Sequence, residues 1–399
     1  LFFTFAPSGD VFYENPSMSN RNEVVIRGVG SSSYGRFPDR RVESLAWEAI
    51  LEAMQDAGAD AGEIEAVFVG SVFGPPGVAT RTLRGIGIGG VPVLTIEAAC
   101  ASGTAAFHEA CEAVALGRYS NVLVFGVEHL SSLFTSGAIV PEASDGEGRA
   151  GLPLPGLYAL QAQRYLDQFG ARPEQFAEVA VKNKRNGTRN PRAQLKGHAP
   201  TLDEVMSARM IAEPLTFLQC CPVSDGAAAI VVGRPRGAKG EVKVLASALA
   251  SGGLWDHRST DFWGEAPVRR AAQAVYAKTG LKASDVDVFE VHDSFTIGEI
   301  LTLESLGLCE VGEGAALAPS GHTQFDGPQP VNPSGGLLSR GHPLGATGTA
   351  QVAEIVWQLR GTAGERQVKK ATLGMVETMG GGAAGMEGNA SVVGLMTLR

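Results

Sequence analysis

Apolar and polar positions along this chain follow two periods, one of strands and one of helices. Residues 24–30, Val24-Val25-Ile26-Arg27-Gly28-Val29-Gly30, form a short β-branched run ended by glycine and serine, which predicts a strand. Over 41–57, Leu45, Ala46, Ala49, Ile50, Ala53 and Met54 recur at helical spacing, and Gly58 is the stop. Residues 66–70 predict the next strand. Downstream, 92–96 reads as a strand that runs into small residues and then an amphipathic helix to about Leu116, followed by a strand over 122–125. Between 131 and 243 the pattern changes to helices and loops: 157–169 and 173–184 predict helices, and 183–200 is polar and loop-like. Strand–helix–strand alternation implies parallel pairing through helical crossovers.

The chain also resembles itself. Shifted by 222 residues, 58–69 lies without gaps on 280–291, both reading as a helix end, an acidic turn and a strand. Gly103-Thr104-Ala105 is matched by Gly348-Thr349-Ala350, and Val127-Glu128 by Val376-Glu377, in the same order. Order kept through drifting offsets argues for duplicated α/β halves.

Composition narrows the class. With 399 residues, 44% hydrophobic and 19% charged, the chain is suited to a folded core and not to disorder. A net charge of −9 excludes a globally basic footprint for nucleic acid or an anionic membrane. Locally the sign reverses: Lys182, Lys184, Arg185, Arg189, Arg192 and Lys196 fall in a stretch without an acid, either a solvated face or a grip on an anionic cofactor. Five cysteines with no CxxC spacing give neither a disulfide framework nor a metal-ligand pattern, which fits a reducing compartment. No apolar run has membrane-spanning length. Residues 1–17 read as an upstream leader segment, with Met18 as the native start.

Four segments carry candidate chemistry. Cys100, in Ala98-Ala99-Cys100-Ala101-Ser102-Gly103, sits where a strand gives way to a helix N-terminus, a position expected to favour thiolate and lower the thiol pKa. His342 lies in the glycine-rich block 332–348, a constrained turn ahead of a helix from about Thr349. His292 and Asp293 follow the buried strand 288–291, and strand ends are where α/β sheets place ligands. The run Gly380-Gly381-Gly382 after the last strand offers free N–H groups to an oxyanion.

In this order these segments resemble the thiolase superfamily, and the resemblance covers nearly all of 23–399. The His292-Asp293-Ser294-Phe295 form and the Pro-Val-Ser-Asp-Gly-Ala-Ala-Ala of 222–229 are more similar to sterol-carrier-protein-type and archaeal, acetyl-CoA acetyltransferase-like thiolases than to the biosynthetic type. The resemblance implies an α/β thiolase fold of five layers, αβαβα, built from two duplicated βαβαβαββ halves with an inserted helical loop domain. The expected boundaries are 18–131 for the N-terminal half, completed by about 220–266, then 132–219 for the insertion and 267–399 for the C-terminal half. It also implies a homodimer or larger assembly in the cytoplasm, working in fatty-acid or aromatic degradation, with no nucleic acid and no membrane span.

Carried over residue by residue, the resemblance makes Cys100 the acylated nucleophile and His342 its base. The N–H groups of Cys100 and Gly380 would hold the tetrahedral oxyanion, and His292 with His342 the thioester oxygen of the enolate. Coenzyme A or acyl-CoA enters as substrate, with Arg185 and Ser247 as candidate contacts; no bound cofactor and no metal is implied. The implied activity is thiolytic cleavage of a 3-ketoacyl-CoA or the reverse Claisen condensation. The alternatives are a retro-aldolase on a CoA thioester, of the steroid side-chain type, and a non-catalytic scaffold.

Two departures stand out. Where many thiolases carry a second cysteine, this chain has Thr378-Met379, and where sterol-carrier-type relatives have an HDCF cysteine it has Ser294. The proton carrier for the α-carbon is left to His292, Asp293 or a water. Relatives of this kind often work beside a small partner with an OB fold and a zinc ribbon. Cys309 and the neighbours Cys220 and Cys221 read as structural residues. Phe134, Leu157, Tyr158 and Trp255 are candidates to line a substrate pocket.

Overall fold

The computed structural model describes residues 22–134, 144–255, 258–381 and 385–399. The expected leader and Gly382 lie outside the described residues. Eleven strands are found among the described residues: β1 Val25–Ser31, β2 Ala66–Gly70, β3 Val93–Ile96, β4 Asn121–His129, β5 Met210–Ala212, β6 Leu215–Thr216, β7 Asp225–Gly233, β8 Val242–Ala250, β9 Val288–Glu290, β10 Leu373–Gly380 and β11 Ala390–Leu398. Nine of them form one sheet in the order β3-β2-β4-β7-β1-β8-β11-β10-β9, and β5 and β6 make a separate ribbon.

That sheet is two half-sheets joined end to end. The junction is slight, Val25 opposite Lys243 and Ile26 opposite Val242. On either side the wiring repeats. In the first half β2 is parallel to β4, β4 antiparallel to β7, and β7 antiparallel to β1. In the second, β9 is parallel to β10, β10 antiparallel to β11, and β11 antiparallel to β8. The counterpart of β3 is a single bridge from Phe289 to Val331. The duplication read in the sequence is thus a duplication of topology. The seam between the halves differs from the expected one. β8, assigned from sequence to the completion of the first half, pairs along its length with β11 and occupies the place that β1 holds in the first half.

Strand alternation sorts the layers. Val67, Val69, Leu123 and Phe125 pack outward on Leu45, Ala49 and Ile50 of the helix Val42–Ala57. Their neighbours Phe68, Val122 and Val124 point inward, to a core shared with Phe107 and Ala110 of the helix Ser102–Ala115 and Val352, Ile355 and Val356 of the helix Leu344–Arg360. Val288, Val376 and Met396 reach the same central core from the other half-sheet. Phe289, Met375 and Leu395 face outward, onto Val268, Ala271 and Val275 of the helix Glu265–Thr279. Helix, sheet, paired helices, sheet and helix are the five layers.

The repeated Gly-Thr-Ala motifs fall within the first two turns of the central helices Ser102–Ala115 and Leu344–Arg360, and the motifs touch each other. A Cβ on Gly348 would stand 2.4 Å from the Thr104 nitrogen, and one on Gly103 3.0 Å from the Thr349 nitrogen. Only glycine permits this approach. The insertion carries the helices Leu154–Phe169, Pro173–Gly187 and Leu202–Ser207 and the β5–β6 ribbon. Among the described residues no helix is long and apolar enough to cross a membrane.

Candidate active site

Cys100 is set by a backbone reversal after β3. Ala99 has φ of +47°, uncommon for a residue with a Cβ. The Ala98 N–H donates to Ser102 Oγ at 2.9 Å and the Ser102 hydroxyl donates to the Ala99 carbonyl at 2.6 Å, which pins the turn ahead of the helix Ser102–Ala115. His342 is set from the other half. Gly341 before it has φ of +120°, and the His342 N–H donates to Ser224 Oγ at 2.9 Å, whose hydroxyl donates to Gln194 Oε1 at 2.6 Å.

The two meet with Cys100 Sγ 3.2 Å from His342 Nε2. On the far side of the ring, His342 Nδ1 lies 2.7 Å from Thr347 Oγ1. The His292 ring stands 5.4 Å from that of His342, and one donor atom from each of Cys100, His292 and His342 lies within 4.8 Å of the others. A thiophilic divalent cation would fit that donor set. His292 is 3% exposed and its Nε2 has no hydrogen-bond partner, while its backbone N–H donates to Glu377 Oε2 at 3.1 Å. Glu128, the repeat counterpart of Glu377, accepts from the N–H groups of Val72, Phe73 and Gly345, so each half uses a buried carboxyl to hold a strand-end loop.

Burial dominates the electrostatics here. It pushes the Cys100 thiol up to about 12, although the N–H groups of Gly381 and of Cys100 itself are directed at the sulfur and pull the other way. It holds His342 well below its ordinary value, helped by His292 and Arg340, and takes His292 down to about 3. The expected lowering of the thiol pKa is therefore reversed: the N–H groups act in the expected sense, but removal from water outweighs them. The resting pair is a neutral thiol and a neutral imidazole.

The glycine turn shifts by one residue from its expected use. Gly380 ends β10 and its carbonyl accepts from the Asn389 N–H at 3.0 Å, and a Cβ there would meet the Ala98 carbonyl at 2.1 Å. It lets the strand abut the Cys100 turn, and the N–H facing the sulfur belongs to Gly381.

A cavity of about 220 Å³ opens over Cys100 and His342, walled mainly by Leu154, Tyr158, Phe217, Trp263 and Phe295, with Arg209 at its rim. Tyr158 is the one expected pocket residue that lines it. Phe134 packs edge-on against Phe73 at 5.1 Å instead, and the insertion contributes Leu154 and Pro155 where Leu157 was expected, with Trp263 in place of Trp255. Sequence reasoning also passed over Arg209 and Thr347, and took Cys221, which lines the cavity, for a structural residue. For Thr347 the signal was available, five residues after a histidine at a helix start.

The candidate CoA contacts do not line this cavity. Ser247 lies on β8 and its hydroxyl is 2.8 Å from His108 Nδ1 in the central layer. Arg185 is exposed on the helix Pro173–Gly187. The cationic stretch splits: Lys182 is buried against Glu299 at 2.7 Å, Lys184 is buried and donates to the Leu338 carbonyl, and Arg192 pairs with Glu52. Asp293 does not line the cavity and accepts from the Leu337 N–H at 2.6 Å and from Asn183 at 2.7 Å.

Comparison with known proteins agrees with this geometry. The family model described as thiolase, N-terminal domain, matches residues 25–235, and that described as thiolase C-terminal domain-like matches 254–391. The chain is 40% identical over 370 residues to an acetyl-CoA acetyltransferase of Methanothermobacter thermautotrophicus, covering 90% of this chain and 96% of that protein. It is 36% identical over 376 residues to the benzoylsuccinyl-CoA thiolase subunit BbsB of Thauera aromatica, covering 92% and 96%. Among solved structures, the Ltp2-ChsH2(DUF35) aldolase superposes with a TM-score of 0.81 at 25% identity, covering 95% of this chain and 98% of that one. A cysteine turn and a histidine turn brought together from two duplicated halves, with both family domains in register, place this chain in the thiolase family.

Proposed function

We propose that this thiolase-family chain is an acyltransferase that cleaves a 3-ketoacyl-CoA with coenzyme A, or runs the reverse condensation, through an acyl group on Cys100. The carrying observation is the neutral pair at 3.2 Å, Cys100 Sγ to His342 Nε2, at the floor of an apolar cavity. A thiol kept protonated by burial becomes nucleophilic when the imidazole takes its proton as the sulfur attacks the keto carbon. The oxyanion formed on that carbon lies within reach of the N–H groups of Cys100 and Gly381, and the enolate oxygen of the departing thioester within reach of His292 and His342. His292 is neutral, with a buried Nε2 that has no other partner, and a pre-aimed group of this kind needs no reorganisation as charge develops.

Coenzyme A is the carrier on this reading, supported by the names of the two relatives, and Arg209 at the cavity rim gives it a cation. The apolar wall suits a hydrophobic acyl chain. A homodimer, a small zinc-ribbon OB-fold partner and a cytoplasmic location complete the proposal. The subunit name of the Thauera relative and the two-component name of the aldolase support an assembly, and five free cysteines support a reducing compartment.

The likeness to the aldolase favours a second reading, retro-aldol cleavage of a CoA thioester, in which no acyl group reaches Cys100. Intact-protein mass spectrometry separates the two. After brief incubation with acetyl-CoA or a longer 3-ketoacyl-CoA, the wild type is expected to gain the acyl mass and Cys100→Ala to gain none. A wild type without an increment, even with a zinc-ribbon partner added, overturns the acyl-enzyme reading and favours the aldolase or a scaffold.

A further inference from the structure

Breaking or making a carbon–carbon bond next to a thioester needs a group that gives a proton to, or takes one from, the α-carbon. Of the residues considered so far, His292 is engaged with the enolate oxygen on the proposed reaction, and the others do not fill that role. Thr378 gives its proton to Gln351 Oε1, on the central helix. Met379 has no proton to offer and packs against Gly264. Asp293 faces the Asn183 side of its strand end.

Another thiol lies in the cavity wall, that of Cys221. Cys220 bridges antiparallel to Phe295, and the Cys221 N–H donates to the Ser294 carbonyl at 2.9 Å, so Cys221 lies directly beside the end of the His292-Asp293-Ser294 segment. Two residues on, Val223 bridges in parallel to His342. The short stretch 220–223 is therefore strapped between the two histidine turns. Cys221 lines the same cavity as Cys100, Ser294 and His342. The Ser294 hydroxyl in that wall is buried, on a residue 4% exposed, with the Tyr158 hydroxyl beside it, so the wall next to Cys221 carries two hydroxyls that can turn to a polar ligand.

From this placement we infer that Cys221 is the proton carrier at the substrate α-carbon, a second catalytic thiol supplied by a segment other than the late glycine turn. The inference rests on the reaction proposed above. Burial, with Cys220, Cys100 and Asp293 nearby, keeps the Cys221 thiol protonated, the form that serves cleavage. When the acyl group stays on Cys100 Sγ, the bonding pair passes into the enolate of the leaving acyl-CoA, whose α-carbon takes the proton from Cys221. The Cys221 thiolate then takes the proton of the incoming CoA thiol. The CoA sulfur attacks the acyl-Cys100 carbonyl and expels the Cys100 thiolate, which recovers its proton from the His342 imidazolium. Protons and charge balance, with no oxidant or metal involved.

The test is exchange of the α-protons of acetyl-CoA with deuterium from solvent, read by NMR on the full chain with and without a zinc-ribbon partner, beside acylation of Cys100 read by intact mass. Cys221→Ser is expected to keep acylation within about threefold and lose exchange by about 100-fold, the usual weight of a positioned acid–base group. Cys220→Ser is expected to keep both. Cys221→Ala gives the same reading if the serine variant does not fold. Exchange in a folded Cys221 variant within threefold of wild type overturns the assignment, as does exchange lost in Tyr158→Phe but kept in Cys221→Ser. A wild type that acylates Cys100 without exchanging also overturns it. Exchange that depends on Cys221 in a wild type that never acylates Cys100 upholds Cys221 and overturns the acyl-enzyme reading instead.

Discussion

Thr347 decides which nitrogen of His342 faces Cys100. The Thr347 hydroxyl donates to the Pro343 carbonyl at 3.1 Å, so toward His342 Nδ1, 2.7 Å away, it acts as acceptor. Nδ1 therefore carries the ring proton, and Nε2 turns its lone pair to the thiol.

Thr347→Val keeps the shape and leaves a buried N–H unpaired, a cost of about 1–3 kcal/mol. We expect single-turnover acylation of Cys100 to slow by about 10- to 100-fold, with Thr347→Ser close to wild type. Equal rates in valine and wild type would remove Thr347 from this role.

The neutral Cys100–His342 pair predicts how the free thiol reacts. With the thiol pushed up to about 12, the thiolate fraction rises about tenfold per pH unit across the neutral range. Iodoacetamide labelling of Cys100, followed by peptide mapping between pH 6 and 9, is expected to climb without a plateau. A plateau below pH 8 would indicate a preformed ion pair.

Burial raises the Glu377 carboxyl to about 8, so the folded chain holds a proton there that the unfolded chain, near the ordinary value of about 4.3, has released. A raised folded pKa stabilises the fold at low pH, and that contribution is lost as pH rises toward 8. Between about pH 5 and 8 the wild type should lose about 1.4 kcal/mol per pH unit relative to Glu377→Gln. Paired denaturant titrations at pH 5, 6.5 and 8 measure it, and parallel pH dependence in the two proteins would mean a carboxylate in the fold.

Gly348→Ala places a methyl 2.4 Å from the Thr104 nitrogen, where the first turns of the two central helices cross. Overpacking of this sort costs about 1–3 kcal/mol, and because one helix follows Cys100 and the other follows His342, acylation should fall with stability. Gly89→Ala, at a glycine with open space around it, is the control expected to change neither.

Much of this was legible in the sequence because it was local. The strand–helix alternation, the Gly-Thr-Ala repeats and the small residues around Cys100 and His342 each lie within a few positions. What escaped notice depends on chain segments meeting across the fold. β8 alternates like any half-buried strand, and nothing in its residues tells whether β1 or β11 will run beside it. Gly380 and Gly381 are identical side by side, and which N–H faces the sulfur depends on where β10 stops pairing with β11. The thiol pKa was misjudged because helix proximity is visible in sequence and depth of burial is not. Cys221 read as a core residue beside Pro222, and it faces the cavity because its neighbour Cys220 bridges to Phe295, which lies in the other half.

The crossing of Gly103 and Gly348 also bears on how the molecule is made. Cys100 and His342 are 242 positions apart in the chain, and their meeting waits on contacts of that span. As the protein leaves the ribosome, the first half can collapse with its Cys100 turn already shaped, but with no imidazole opposite it. The proposed acyl transfer then waits until the last fifth of the chain docks. A partly folded chain carries the thiol without the imidazole beside it and without the burial that holds it protonated, so both the pairing and the suppressed thiolate belong to the completed fold.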